Sequence, residues 1–205
     1  MAEAACPRSR RADGSPLIAS PKIFAFQPVW FFPYNETMVR TEHVLDSWKT
    51  VREDTIQAVE DFPADDFDFR ATPDVMTFGQ LARHILDAGD GLTGLLLAGD
   101  DNFATPDFRE KMTKQLRNVE PGPAGLAAAL RESIVERTAQ LAEQSPQFFA
   151  HIITRFDGQR VSRLEMLQMI KEHELTHRAT MFLYMRMKGI VPATTRRRLA
   201  KQAAR

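Results

Sequence analysis

Residues 161–192, VSRLEMLQMIKEHELTHRATMFLYMRMKGIVP, carry both a start and a stop for one long helix. Ser162 followed by Glu165 is the pattern of a capping box, in which each side chain bonds the other's free backbone N–H. Gly189 supplies a left-handed position after the last turn, and Pro192 cannot continue the helix. Leu164, Leu167, Ile170, Met181, Tyr184 and Met185 recur at helical spacing and define an inward face. A helix of this kind has to bury that face against other elements.

Two histidines interrupt the face. His173 and His177 are four apart, so one sits above the other on the same side, flanked by Met166, Ile170, Met181 and Tyr184. Each imidazole directed inward has two ring nitrogens to satisfy. A divalent metal does this by taking one lone pair per ring and leaving the other N–H for an acceptor. Ordinary core or interface histidines with hydrogen-bond partners fit the same spacing. A second run bears on the choice. Thr77-Phe78-Gly79-Gln80 is another capping box, and after it Leu81, Ile85, Leu92, Leu95 and Leu96 carry a second apolar face that includes His84. Three histidines from two facing helices can hold a metal and leave coordination positions open.

With these residues the chain resembles the DinB/YfiT-like family of metalloenzymes. That family has a histidine near the start of its second helix and a histidine pair in its last, typically H-x-x-H-H-R-G-Q with an L-R-x-x-G-x-x-P ending. Here the pair reads His173-Glu174-Leu175-Thr176-His177-Arg178-Ala179-Thr180, and the ending runs from Met185-Arg186 through Gly189 to Pro192. The resemblance covers residues 38–192 and implies a four-helix bundle with His84, His173 and His177 as metal ligands. Thr176 stands where a further histidine is common, and Ala179 and Thr180 replace Gly and Gln, so no role of that Gln carries over.

The expected fold is all-α: helices near 36–60, 78–98, 123–144 and 162–188, with a long crossover over 100–122 that holds a short helix near 108–116. Phe62-Pro63 closes the first helix, and Pro123 suits the first turn of the third. FFAHIITRFDGQR, with Asp157-Gly158, is expected to make a short hairpin. Gly89, Gly91 and Gly94 lower the helicity of the second helix, and their small size allows close approach of another segment or leaves space beside the metal. Residues 1–37 are expected to be a dispensable extension, largely disordered or loosely packed, and 193–205 a solvated basic tail. His43 and His151 have no ligand partner at helical spacing and are read as surface or structural residues.

Net charge is zero, but the tail holds five Lys/Arg and no acid. Residues 38–192 hold 18 basic and 24 acidic residues. An acidic body argues against nucleic-acid binding, which depends on neutralising phosphates. Cys6 is the only cysteine, so no intramolecular disulfide can form; a reducing, cytoplasmic setting is expected. No stretch approaches the length of a membrane span. Phe148, Phe149 and the aromatic run 24–32 are left over after the inward faces are assigned, which predicts a homodimer.

An all-imidazole site with open positions suits Zn²⁺ best, with Ni²⁺ or Fe²⁺ as alternatives. Such a cation activates a water for hydrolysis or a low-molecular-weight thiol for attack on a small-molecule substrate. The resemblance favours the thiol, because relatives include thiol-dependent S-transferases and isomerases. The alternatives are a metal-dependent hydrolase, or a non-catalytic, stress-linked metal-binding or interaction protein. Asp87, one turn from His84, is a candidate base or acceptor for its ring N–H. Arg178 and Arg186 are candidates for holding a substrate carboxylate, with surface salt bridging as the other reading.

Overall fold

The structure is a computed structural model that describes residues 40–205; Cys6, the aromatic run 24–32 and the expected first-helix start at Glu36 lie outside the described residues. Four long helices make the body: Thr41–Asp61 (α1), Phe78–Leu97 (α2), Gly122–Ala142 (α4) and Arg163–Met187 (α6). Between and after them come Phe108–Thr113 (α3), Pro146–Ala150 (α5), the strands Ile152–Thr154 (β1) and Arg160–Ser162 (β2), and Ala193–Ala203 (α7). α1 packs on α4 and α6, and α2 packs on the same two, so α1 and α2 face each other across a diagonal. This is the expected four-helix bundle, with the crossover of residues 98–121 joining α2 to α4.

The expected boundary signals operate as hydrogen bonds. Glu165 N donates to Ser162 Oγ (3.2 Å) and Ser162 N to Glu165 Oε2 (2.6 Å), which starts α6. Gln80 N donates to Thr77 Oγ1 (3.2 Å) and Thr77 N to Gln80 Oε1 (2.9 Å), which starts α2. Two more orphan donors of α2 are taken by the preceding loop: Phe78 N bonds Phe69 O and Gly79 N bonds Phe67 O, both at 2.9 Å. Gly189 adopts φ +75°, and Ile190 N then reaches Met185 O at 2.8 Å, closing α6.

The core divides into two apolar ends. One contains Phe62, Phe78, Ile85, Leu130, Met181 and Met185, with the Phe62 and Phe78 rings stacked 3.8 Å apart. The other contains Trp48, Leu92, Leu96, Leu141, Leu167 and Ile170. Each large side chain buried there contributes about 1.5–3 kcal/mol. Between the ends every long helix contributes a buried polar residue: Arg52 and Thr55 from α1, Asp90 from α2, Ser133 from α4 and Glu174 from α6. This polar layer was not legible in the sequence.

Asp90 is fully buried and anchors the crossover. It accepts from Arg117 Nε (2.6 Å), Ser133 Oγ (2.9 Å) and Arg137 Nε (3.1 Å). Gly91 and Gly94 of α2 admit that same segment, whereas Gly89 faces Arg52: a Cβ at Gly94 would lie 2.6 Å from Gln115 Oε1, and one at Gly91 would overlap Met112. The small size of these glycines therefore serves close packing, of the crossover at Gly91 and Gly94 and of Arg52 at Gly89, rather than space beside the histidines.

The hairpin forms as expected, antiparallel with Ile153 opposite Val161. Phe149 is buried in the core and Phe148 is half-buried under the Arg163 guanidinium, 4.4 Å from its ring, so neither is left over for a partner. Residues 193–203 form a helix rather than a free tail. Pro192, past the end of α6, is the N-cap residue of this helix, and Arg196 and Arg197 of α7 pair with Asp61 and Asp54 of α1.

Candidate metal centre

α2 and α6 pack side by side, and their histidines meet at that contact. His84 Nε2 lies 3.1 Å from His173 Nε2, and His177 Nε2 lies 3.0 Å from the same atom. One donor nitrogen from each of the three rings falls within 4.8 Å of the others. Among the described residues this is the one group of three or more His, Cys, Asp or Glu side chains so gathered. Three ring nitrogens gathered this way cannot all satisfy one another, because each is either one N–H or one lone pair and His173 Nε2 is shared by both contacts. A shared cation satisfies all three lone pairs at once, so the donor set fits a borderline divalent metal.

The electrostatics point the same way. Burial, with the neighbouring His177 and His84 adding to it against an upward pull from Glu174, holds His173 down to about 4. Burial, with His84 adding to it, also lowers His177. Both rings are therefore neutral near pH 7, the form in which imidazole ligates a metal. All three rings are half-buried, so the cluster keeps a route to solvent.

His84 also forms part of the wall of an open cleft of about 490 Å³, shared with Gln80, Arg83, Asp87, Phe67 and Glu120. Asp87 does not reach His84. Its two oxygens accept from Arg83 Nε at 2.8 and 2.9 Å, which makes it an ion-pair partner one turn along the helix. Arg178 Nη1 donates to Val51 O (3.1 Å) and Asp54 Oδ2 (3.3 Å), and Arg186 Nη2 donates to Thr195 Oγ1 (2.8 Å). Both arginines are thus engaged in holding α6 to its neighbours. His43 is exposed beside Arg40, and His151 Nε2 lies 3.1 Å from Asp101.

Glu174, next to His173, went unrecognised in the sequence. It is 2% exposed and accepts from Trp48 Nε1, Arg52 Nε and Thr55 Oγ1, each at 2.8 Å. The available signal was its position, four residues after Ile170 and seven before Met181, which puts a carboxylate in the apolar stripe.

An all-helical bundle with three imidazoles gathered between its second and last long helices is a four-helix bundle of the DinB/YfiT type. The chain belongs to the DinB superfamily, whose family model matches residues 47–181. Solved structures agree on the fold. A DinB-like protein, YjoA, from Bacillus subtilis aligns with a TM-score of 0.57 at 20% identity, covering 72% of this chain and 92% of that one. YfiT from Bacillus subtilis, described as a probable metal-dependent hydrolase with an unusual four-helix bundle topology, aligns at 0.57 and 18% identity over 76% and 93%. A mycothiol-dependent maleylpyruvate isomerase aligns at 0.54 and 15% identity over 70% of this chain and 61% of its own. No curated protein sequence matches the chain significantly.

Proposed function

We propose that His84, His173 and His177 hold one divalent cation, Zn²⁺ before Ni²⁺ or Fe²⁺, and that the chain is a metal-dependent S-transferase or isomerase using a low-molecular-weight thiol. The observation that carries this reading is the approach of His84 and His177 Nε2 to within 3.1 Å of His173 Nε2. A cation held there supplies Lewis acidity, which lowers the pKa of a thiol or water beside it. The three rings would supply neutral lone pairs, and their half-burial leaves the cluster reachable from solvent. The cleft beside His84 receives the small-molecule substrate. Arg83 lines that cleft with a cation and orients an anionic end of the ligand. The chain's one cysteine is Cys6, outside the DinB-matched segment, so a thiol nucleophile has to come from a bound small molecule. A likeness in fold to a mycothiol-dependent isomerase supports the thiol.

A metal-dependent hydrolase is the second reading, favoured by a carboxylate, Asp87, in the wall of the cleft next to His84. One experiment separates the two. The purified protein is analysed for metal, loaded with Zn²⁺, and offered electrophiles with and without a panel of small thiols. Turnover that requires thiol supports transfer or isomerisation. Ester or amide cleavage without thiol supports hydrolysis. Stoichiometric metal with neither activity leaves a metal-binding protein and overturns both. Homodimer assembly is also proposed, now on the exposed apolar Leu183, Met187 and Leu199 rather than on Phe148 and Phe149; a monomer by light scattering at micromolar concentration would remove it.

A further inference from the structure

Arg52 is a fully buried arginine whose guanidinium touches all three of the other long helices. Its Nε donates to Glu174 Oε1 of α6 at 2.8 Å. Its Nη1 donates to the Leu130 carbonyl of α4 at 3.4 Å. Its Nη2 lies against Gly89 of α2, where a Cβ would approach to 2.9 Å. The same carboxylate of Glu174 also accepts from Trp48 and Thr55, so α1 presents it with three donors.

Such a pair is a poor way to gain stability. Removing two charges from water costs about as much as their attraction returns, and apolar residues of similar volume often do as well or better. What the pair provides is direction. Three donors at fixed places on α1 accept one rotation of α6 about its axis. Adjacent residues on a helix are about 100° apart. Seating Glu174 toward α1 therefore turns His173 toward α2, and His177 follows one turn on. An apolar residue at 174 would pack comparably over a range of rotations. On the other side, the guanidinium against Gly89 sets how near α2 comes, and His84 sits on α2 five residues before that glycine.

We propose that the Arg52–Glu174 pair, seated on Gly89, is the positioning device of the histidine cluster, setting the rotation of α6 and its spacing from α2 so that the three imidazoles meet. Its consequence for cation affinity rests on the metal site proposed above; the positioning itself does not. Arg52 and Glu174 are positioning residues, with no contact to substrate implied.

The test uses the full chain carrying Arg52→Met and Glu174→Met together, which removes both charges and leaves no unpaired one. The expected variant keeps its helical circular dichroism and cooperative melting. Its Zn²⁺ affinity, measured by chelator competition, falls about 10- to 100-fold, the usual cost of losing support behind metal ligands. Its Co²⁺ absorption spectrum changes. In a crystal structure of the metal-free variant, His84 and His173 Nε2 stand apart instead of at 3.1 Å. Unchanged Zn²⁺ affinity in a folded variant, or an unchanged separation of those nitrogens, overturns the proposal. Should that variant fail to fold, Gly89→Ala decides. Alone it should weaken Zn²⁺ binding by crowding the guanidinium, and Arg52→Lys added to it should restore part of the loss, because lysine lacks the second nitrogen at that point. Losses that simply add would overturn the proposal. Wild-type protein that binds no Zn²⁺ sinks the metal reading alone, and the nitrogen separation in wild type and variant still decides the positioning.

Discussion

His84 and His173 are 89 residues apart in the chain, and their Nε2 atoms are 3.1 Å apart in the fold. Two potential ligand nitrogens are brought that close at a half-buried contact between helices. The proposed cation would draw on both lone pairs at once, and the expectations below rest on that arrangement and on the polar layer beside it.

Replacing His84, His173 or His177 singly with Ala should reduce Zn²⁺ retained after gel filtration from about one per chain to near zero, since a site of two imidazoles binds far more weakly than one of three. Replacing His43 or His151 should leave it unaltered, because neither lies in the cluster. Elemental analysis of the purified variants checks this. Full retention by His84→Ala would mean the cluster does not act as one site.

The metal-free protein should lose stability as pH falls from about 6.5 toward 4. In the unfolded chain His173 takes up a proton near its ordinary value, whereas in the fold burial and the two neighbouring rings hold it to about 4. A depressed pKa contributes stability that is complete above the unfolded value and is lost as pH drops through the window. His177, lowered by burial and by His84, adds in the same direction. Urea midpoints of the metal-free protein compared between about pH 7.5 and pH 5 should fall, and His173→Gln should flatten the change. A midpoint that rises on acidification contradicts the assignment.

Asp90→Ala should cost about 3–5 kcal/mol, the usual consequence of removing one partner from a buried charge network. Arg117 and Arg137 would each lose an anchoring acceptor, and with them the crossover its hold on α2. Denaturant unfolding reads the loss, and limited proteolysis should shift cleavage into residues 98–121. Near-wild-type stability would show that the remaining contacts of the crossover suffice.

Asp87→Asn should leave Zn²⁺ content unchanged, because both carboxylate oxygens are held by Arg83 and neither by His84. Chelator competition reads this directly. A marked drop in affinity would return Asp87 to the role of acceptor for the His84 ring N–H.

Arg196→Ala with Arg197→Ala should lower stability by about 1 kcal/mol, within the range for two exposed or partly exposed ion pairs. The pairs to Asp61 and Asp54 hold α7 against α1. Thermal melting at low and high salt separates this from packing: the difference from wild type should shrink as salt screens both pairs.

The sequence by itself determined the four long helices, the capping boxes of α2 and α6 and the candidate ligands. Those features are local: a capping box needs residues three apart, a left-handed stop needs one glycine, and the His173–His177 pairing needs only the pitch of a helix. His84 was legible because it falls within an apolar run of a helix that has to enter the same core. The tertiary structure alone decided which acids are buried. Asp90 looks like one more of the chain's 27 acidic residues, and Glu174 differs only in falling on the apolar stripe, which does not say what would neutralise it there. Their burial depends on Arg52 and Arg137 arriving from other helices and Arg117 from the crossover, at separations of 122, 47 and 27 residues. It also decided that Asp87 is taken by Arg83, that Arg178 and Arg186 tie α6 to its neighbours, and that residues 193–203 form a helix on α1. In each case the outcome is a choice among polar and charged partners of similar strength, and only the packed backbone sets which of them lies within reach.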